Sequence, residues 1–294
     1  MSIFITGSSG FIGSNLQRYF GNKSLHLYRK GEDLNLQGID VLLHLAGKAH
    51  DLKNTSDPTE YYQVNTELSK KVFDAFLASD AKVFITLSSV KAVADEVEGE
   101  LTEQHHPHPI THYGISKLLA EQYILSKQLP EGKRVYILRP CMVHGPGNKG
   151  NLHLLYTLVS KGIPWPLGAF ENKRSFCSID NLMFVIKELI ERQDIPSGVY
   201  NVADDEALST NELISLIAQS QNRKPKVWSI SKGLIEGVAY LGDKLHLPLN
   251  TERLHKLTSS YVVGNAKIKT AIGKPFPVSS KEGLLKTFKS FKLK

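Results

Sequence analysis

Cysteine is scarce: Cys141 and Cys177 are the only two in 294 residues. Two cysteines cannot build a disulfide framework, and such usage fits a reducing cytosol, so a cytoplasmic location is expected. No apolar run reaches the ~18–20 residues that a membrane span needs. The N-terminus lacks a basic region followed by an apolar run, so no signal peptide is expected. Zinc-finger, RNA-recognition and helix-turn-helix signatures are missing, which removes nucleic acid from the expected partners. There is no acidic excess: 36 Lys and Arg against 29 Asp and Glu leave a net charge of +7. The basic residues are spread out, apart from five lysines in residues 281–294, as on a mildly basic surface. Internal repeats and low-complexity tracts are also absent. What remains is an ordinary globular composition, 41% hydrophobic and 22% charged, long enough to bury a large core.

The most informative stretch is residues 2–16, SIFITGSSGFIGSNL. Residues 2–6 are rich in β-branched and aromatic side chains and read as a buried strand. Gly7, Gly10 and Gly13 follow, with Ser9, Phe11 and Ile12 between them, and then an apolar-periodic helix. A strand, a glycine turn and a helix form the opening of a dinucleotide-binding βαβ unit. Gly7 permits the tight turn, Gly10 has no Cβ to hold a pyrophosphate off the backbone, and Gly13 lets helix and strand approach. The helix N-terminus offers free N–H groups to phosphate.

A second strand at 25–28 ends in Tyr28-Arg29-Lys30. Arg29 and Lys30 suit a 2′-phosphate, which favours NADP over NAD; a solvated basic turn is the other reading. Only about ten residues lead to the next strand at 41–45, too few for a full crossover helix. Asp33 and Leu34 are read as the remnant of a trimmed strand touching the adenine. The strand at 41–45 ends in Leu45, then Ala46 and Gly47, small residues against which a cofactor can lie. A helix runs from Asp57-Pro58 to about residue 79, with proline in its first turn. Residues 82–87 form a buried strand ending in Leu87, followed by Ser88 and Ser89. A polar loop at 95–110 precedes a helix from 113 to about 128, and residues 134–138 form a further strand. The alternation predicts a parallel sheet covered on both faces. Beyond residue 150 the elements shorten and prolines increase, with helices expected at 151–161, 180–192, 209–220 and 250–257 and a late strand at 199–202. The division is therefore residues 1–150 for the dinucleotide-binding domain and 151–294 for a smaller lobe, some segments of which return to the first domain.

Tyr113 and Lys117 are four apart at a helix start and so share a face. A free tyrosine titrates near ~10, and a neighbouring ammonium favours its phenolate. The pair can pass a proton to or from a sugar or alcohol oxygen. Ser89, at the adjoining strand end, can hold the same oxygen. Hydride transfer at the neighbouring carbon is the chemistry of a nicotinamide cofactor. The cluster His105-His106-Pro107-His108 is interrupted by proline and joined by no cysteine, so no metal site is expected. His112 is read as capping the helix. The segment 232–247 is amphipathic enough for a membrane surface or a partner helix, and packing within the lobe is taken as its explanation.

The ordered motifs GxxGFIG, HLAG, a helical Val-Asn, SS, YGxSK and LRPxxVxGPG resemble the extended short-chain dehydrogenase/reductases of the nucleotide-sugar epimerase/dehydratase type, over essentially the whole chain. The resemblance implies an α/β fold: a Rossmann-type doubly wound parallel sheet with a smaller C-terminal α+β substrate lobe. It implies catalytic Ser89, Tyr113 and Lys117, with Asn65, Leu87, Ser88, Arg139, Pro140 and Val143 around the cofactor. It places Lys91, Asn151, Leu152 and Arg174 at a nucleotide-diphosphate sugar, a UDP-sugar foremost, with the Arg174 guanidinium suited to diphosphate. A homodimer through the helices at 58–79 and 113–128 follows from the resemblance alone. Dehydratases of this type carry an Asp-Glu pair after the catalytic Ser or Thr, whereas here Ser89 is followed by Val90-Lys91, which disfavours dehydration. His144 stands where tyrosine is usual. Two reactions at the sugar C4 fit: reduction of a 4-keto sugar by NADPH, or 4-epimerisation with tightly held NAD. The Arg29-Lys30 strand end favours the reductase. So does the Ser-Ser-Val-Lys segment, which looks like the 4-ketoreductases of N-acetyl-6-deoxyhexosamine synthesis for bacterial surface polysaccharide. A non-catalytic dinucleotide sensor is the remote alternative, and the intact Tyr113 and Lys117 speak against it.

Overall fold

The computed structural model describes residues 1–21, 25–28, 34–49, 57–148, 150–245 and 250–291. Arg29, Lys30 and Asp33 lie outside them. The chain begins with β1 (Ile3–Thr6), α1 (Phe11–Phe20), β2 (Leu25–Leu27) and β3 (Val41–His44). A composite helix follows: α2 (Pro58–Tyr61), a π-helical segment (Tyr62–Glu67) and α3 (Leu68–Ala78). Next come β4 (Val83–Leu87), β5 (Glu100–Leu101), α4 (His112–Leu125), β6 (Arg134–Pro140) and β7 (Met142–His144). The remainder holds α5 (Asn151–Ser160), β8 (Phe176–Ser178), α6 (Ile179–Glu191), β9 (Gly198–Val202), α7 (Thr210–Ser220), α8 (Lys232–Leu245), α9 (Thr251–Thr258), β10 (Val262–Val263), α10 (Ala266–Ile272) and α11 (Ser280–Ser290).

Six strands form one parallel sheet in the order β2-β1-β3-β4-β6-β9. The inner strands β1, β3, β4 and β6 are largely apolar on both faces because both faces are covered, whereas edge strand β2 is mostly exposed. Side chains alternate with the pleat. Ile3 and Ile5 face one side with Leu43, Ile85 and Leu138, under α6 and Leu16 of α1. Phe4 faces the other with Leu42, Phe84 and Ile137, under Phe73 and Phe76 of α3. The chain moves outward from β1 to β2, then crosses back to β3 on the other side of β1. The order of strands therefore reverses beside β1, and the crevice at the carboxyl ends of β1 and β3 is where such sheets bind ligands.

Leu34 belongs to no strand; it packs at the edge of the second core layer, which corrects its reading as a strand remnant. The expected late strand is β9, and it joins the main sheet beside β6. Two small parallel pairings, β5 with β10 and β7 with β8, bring distant parts of the chain together. The second lobe has its own core, where Leu152 and Tyr156 of α5 meet Leu213 of α7 and Leu284 and Phe288 of α11. In α8, Ile235 and Ala239 are buried while Leu234 and Leu241 are exposed. Packing within the lobe thus accounts for one face of this helix and leaves the other unexplained, against the expectation. Cys141 and Cys177 are buried free thiols whose pKa values burial pushes well up.

Candidate active site

The turn after β1 is shaped by backbone. Gly7 has φ +73°, and a Cβ there would lie 2.5 Å from Ala46 N. At Gly13 a Cβ would lie 2.4 Å from the Gly7 carbonyl oxygen, so only glycine lets α1 sit this close to the turn. Gly10 is the N-cap of α1 and supplies no side chain, so the first N–H groups of the helix, starting at Phe11 and Ile12, stay open to an anion. Gln17 braces the turn by donating to the Ser8 carbonyl at 2.7 Å, and Ser9 lies within the turn.

Beside this cradle runs a buried chain of hydrogen bonds. The Ala46 N–H donates to Thr6 Oγ1 (3.2 Å), Thr6 Oγ1 meets His44 Nδ1 (2.7 Å), His44 Nε2 meets Ser69 Oγ (2.9 Å), and Ser69 Oγ donates to the Asn65 carbonyl (2.7 Å). A hydroxyl carries one proton. Ser69 spends its proton on Asn65, so it accepts from His44 Nε2–H, and Thr6 donates to Nδ1. His44 is therefore a neutral Nε2–H imidazole. Burial, and then the Lys117 charge, lower its pKa to about 3.

Asn65 sits in the π-helical segment, where an extra residue per turn re-aims a side chain. It is buried: its Oδ1 accepts from Lys48 N (2.8 Å), and its Nδ2 donates to Lys48 O (3.2 Å) and Ser116 Oγ (3.0 Å). The composite helix is thus pinned to the loop carrying Leu45, Ala46 and Gly47 and to α4. A Cβ on Gly47 would lie 2.9 Å from Lys117 Nζ and 3.1 Å from Asn65 Oδ1, so both groups converge on that glycine.

Ser89 follows the carboxyl end of β4. Its Oγ accepts from Lys91 N (3.2 Å), and it hydrogen-bonds Tyr113. Tyr113 is in the first turn of α4 with its ring edge-on to Tyr61, the centroids 6.1 Å apart. Thr111 caps α4, its Oγ1 accepting from Gly114 N (3.2 Å). His112 is therefore not the cap; its Nδ1 meets Tyr62 Oη at 2.9 Å. One turn on, Lys117 is buried and donates to the Leu87 carbonyl (3.0 Å). Burial lowers its pKa to about 8, with Glu121 opposing. Burial raises the Tyr113 pKa, the Ser89 hydrogen bond lowers it, and Tyr61 raises it. The net shift is upward, against the expected depression, because burial outweighs the hydrogen bond with Ser89. Ser88 is buried and its hydroxyl has no hydrogen-bond partner among the described residues. The two glycines that admit no Cβ fit a dinucleotide lying across the ends of β1 and β3.

The remaining expected residues fall in several places. Arg139 and Pro140 end β6, but the Arg139 guanidinium is committed to Glu121, with Nε 2.9 Å from Oε1 and 3.1 Å from Oε2. It anchors α4 to the sheet. Val143, in β7, is half-buried, and its carbonyl accepts from Asn148 Nδ2 (2.8 Å). Lys91 donates to the Asp95 carbonyl (2.7 Å), and its Nζ lies 4.2 Å from the Tyr261 ring centroid. Asn151 is exposed at the start of α5, whereas Leu152 is core. Arg174 reaches α9: Nε donates to Ser259 O (3.0 Å), and Nη2 to Lys256 O and Ser259 Oγ. His144 lies outside the cleft, fully buried with Nδ1 2.9 Å from Thr287 Oγ1 of α11. His105 Nδ1 accepts from Thr102 N (3.1 Å). No group of three or more metal-ligating side chains forms among the described residues.

Sequence reading missed Thr6, His44, Ser69, Glu121 and Asp95. The Asp95 carboxylate accepts from Ile110 N (2.9 Å), Thr111 N (3.2 Å) and Thr111 Oγ1 (3.2 Å), closing the loop at 95–110 and fixing the cap of α4. A polar residue ending an otherwise apolar strand is the one signal that pointed to His44. Nothing local marked the others.

Residues 29–203 match the NAD dependent epimerase/dehydratase family. The UDP-glucose 4-epimerase of Vibrio cholerae is 32% identical over 324 residues, covering 99% of this chain and 95% of its own. The GDP-6-deoxy-D-mannose reductase of Pseudomonas aeruginosa is 27% identical over 240 residues, covering 74% of this chain and 79% of its own. Among solved structures, MoeE5 in complex with UDP-glucuronic acid and NAD superposes with a TM-score of 0.75 at 22% identity, covering 99% of this chain and 98% of that one. RMD from Pseudomonas aeruginosa, complexed with NADPH, gives a TM-score of 0.71 at 22% identity, with 98% of both chains covered. The likeness to both structures is one of fold.

Proposed function

Because the chain belongs to the NAD dependent epimerase/dehydratase family, and so to the NAD(P)-dependent nucleotide-sugar enzymes, we propose that it reduces the C4 ketone of a nucleotide-diphosphate sugar, a UDP-sugar, with NADPH. The observation that carries the reading is Tyr113, held by burial as a phenol, hydrogen-bonded to Ser89 and backed one turn on by Lys117. A protonated phenol is the form that gives a proton to a ketone. The bound cofactor supplies the hydride to C4. Ser89 holds the C4 oxygen, and Tyr113 delivers the proton to that oxygen as it gains charge, leaving an alcohol and a phenolate. The Lys117 ammonium stabilises the phenolate. The glycine turn and the α1 N-terminus take the cofactor phosphates, and Ser88 offers its hydroxyl. Arg29 and Lys30, at the expected ribose end, support NADPH. No acid–base pair follows Ser89, so loss of water is not supported. Arg174 serves the sugar-nucleotide diphosphate on exchanging its α9 carbonyl partners for phosphate. A cytoplasmic homodimer through α2, α3 and α4 belongs to the same reading.

A 4-epimerase is the second reading, favoured by the Vibrio cholerae relative. The two separate by what the purified protein holds and consumes. The reductase oxidises NADPH in proportion to a 4-keto sugar nucleotide and releases no nucleotide on denaturation. The epimerase releases NAD on denaturation and interconverts UDP-glucose and UDP-galactose without added cofactor. In either case Tyr113→Phe lowers turnover by about 10²–10⁴-fold while NADPH fluorescence still reports binding. Unchanged turnover in this variant refutes the Ser89–Tyr113–Lys117 assignment.

A further inference from the structure

We propose that Tyr261 is a positioning residue: reaching over from the second lobe, its hydroxyl and ring hold the segment that follows Ser89, and so set where Ser89 and Tyr113 stand. The proposal rests on the reading of Ser89 and Tyr113 as the groups that meet the reacting oxygen. Between Ser89 and β5 the chain makes one short helical turn, Val90–Ala92. Beyond that turn its backbone carbonyls need partners from elsewhere. Tyr261 supplies one: its Oη donates to the Ala94 carbonyl at 2.7 Å and lies 3.4 Å from that of Val90. A hydroxyl carries one proton, so the shorter contact takes it. Burial raises the Tyr261 pKa, Asp95 and then Cys141 adding to the rise, so Oη keeps that proton and stays a donor. Lys91 Nζ stands 4.2 Å from the Tyr261 ring centroid and donates to the Asp95 carbonyl at 2.7 Å. One side chain thus grips both ends of the stretch from Val90 to Asp95.

Tyr261 can act as a fixed point because its own backbone is tied on both sides. Its N–H donates to the Lys173 carbonyl (2.8 Å), and its carbonyl accepts from Ser175 N (3.0 Å), which joins it to the segment bearing Arg174. The next residues form β10, which pairs with β5, and Gly264 N donates to the Leu101 carbonyl (2.9 Å). Residues 261–264 therefore run as a strap between the Arg174 segment and the chain that leaves Ser89.

The held stretch has two outlets to the site. At its start, Ser89 accepts twice from it: Oγ from Lys91 N (3.2 Å) and the carbonyl from Ala92 N (2.9 Å). At its end, the Asp95 carboxylate fixes Ile110 N and Thr111, the cap of α4, and Tyr113 follows in the first turn of that helix. In between, the Val93 carbonyl accepts from His108 N (2.7 Å). The two groups that must meet one oxygen are thus referred to one phenol in the other lobe. Removing its hydroxyl breaks no contact with cofactor or substrate; it releases the reference from which both groups are placed, and a shift of ~1 Å there can cost about 10²-fold in rate.

The test is Tyr261→Phe in the whole protein, which keeps the ring beside Lys91 and removes one hydroxyl. In the C4 reaction, followed as NADPH oxidation or as interconversion of UDP-glucose and UDP-galactose, kcat should fall about tenfold or more, while KM for the sugar nucleotide and the NADPH affinity stay within about twofold. Amide hydrogen exchange should speed by about tenfold or more in peptides from residues 90–112 and stay unchanged in those from residues 3–20, a local pattern that general destabilisation does not produce. Tyr261→Leu, which also removes the ring, should lower kcat further. A kcat within about twofold of wild type in Tyr261→Phe overturns the proposal. So does exchange that speeds equally along the whole chain, and so does a raised KM with kcat unchanged, which would make Tyr261 a substrate-binding group. Tyr113→Phe is the control on the underlying reading: full turnover there refutes the roles of Ser89 and Tyr113, whereas the exchange of residues 90–112 still decides whether Tyr261 holds that segment.

Discussion

His44 illustrates what a single side chain contributes when every proton on it is accounted for. Its Nδ1 accepts from Thr6 and its Nε2–H donates to Ser69, so a second proton would have to displace a bond made at 2.7 Å. Protonation would also put a buried cation near Lys117. The folded pKa of about 3 lies below the ordinary histidine value of 6.5. The unfolded chain thus binds the proton first as pH falls. Stability present above 6.5 is lost progressively toward 3, by about 3 kcal/mol at pH 4 from this residue. Urea unfolding at pH 7 and pH 4 checks this: the wild type should lose that much more than His44→Gln, which has no proton to take. Equal losses in the two proteins would show that His44 is not held neutral.

At the scale of elements, catalysis depends on how helices are aimed. The π-helical segment turns Asn65 inward to Lys48 and Ser116, where an uninterrupted α-helix would rotate the same position elsewhere. The start of α4, which carries Tyr113, is fixed from outside by Asp95 through Ile110 and Thr111. Asp95→Ala leaves two backbone N–H groups and a hydroxyl without their acceptor, costing about 1–3 kcal/mol. Because the cap of α4 shifts and the cofactor cradle does not, kcat should fall about tenfold or more while NADPH affinity stays within about twofold. Asp95→Asn keeps an acceptor oxygen and should recover part of kcat. Steady-state kinetics with NADPH titration decides, and a loss of affinity with kcat unchanged would contradict this account.

At the scale of the whole molecule, the two lobes are interlocked rather than joined by a linker. Strand β9 returns to the main sheet, β10 pairs with β5, and Thr287 of α11 bonds His144. Asp204 ties the crossing point together: buried, it accepts from Ser178 N at 2.9 and 3.0 Å and from Asn181 Nδ2 at 2.7 Å. Asp204→Ala strands those donors and should cost about 3 kcal/mol. With the lobes sharing strands, unfolding should remain one transition. Tryptophan fluorescence reports Trp165 and Trp228 in the second lobe, and NADPH binding reports the first; both midpoints should move together to lower urea. Separate midpoints would show that the lobes unfold independently.

The elements whose physics is local were legible in the amino-acid order. Apolar runs bounded by glycine gave the parallel strands, the glycines at 7, 10 and 13 gave the cradle, and the four-residue spacing of Tyr113 and Lys117 put both on one face of α4. The rest came from packing, because it depends on groups far apart along the chain. Whether burial raises or a neighbouring charge lowers the Tyr113 pKa, whether Arg139 meets a ligand or Glu121, and whether His144 lines the cleft or holds α11 are questions of which distant groups share a buried volume. Periodicity marked α8 as amphipathic, but the lobe had to be packed before it was evident that one apolar stripe is used and the next left in solvent. A local pattern shows that a side chain is apolar or titratable; burial and partners, set by the fold, decide what it does.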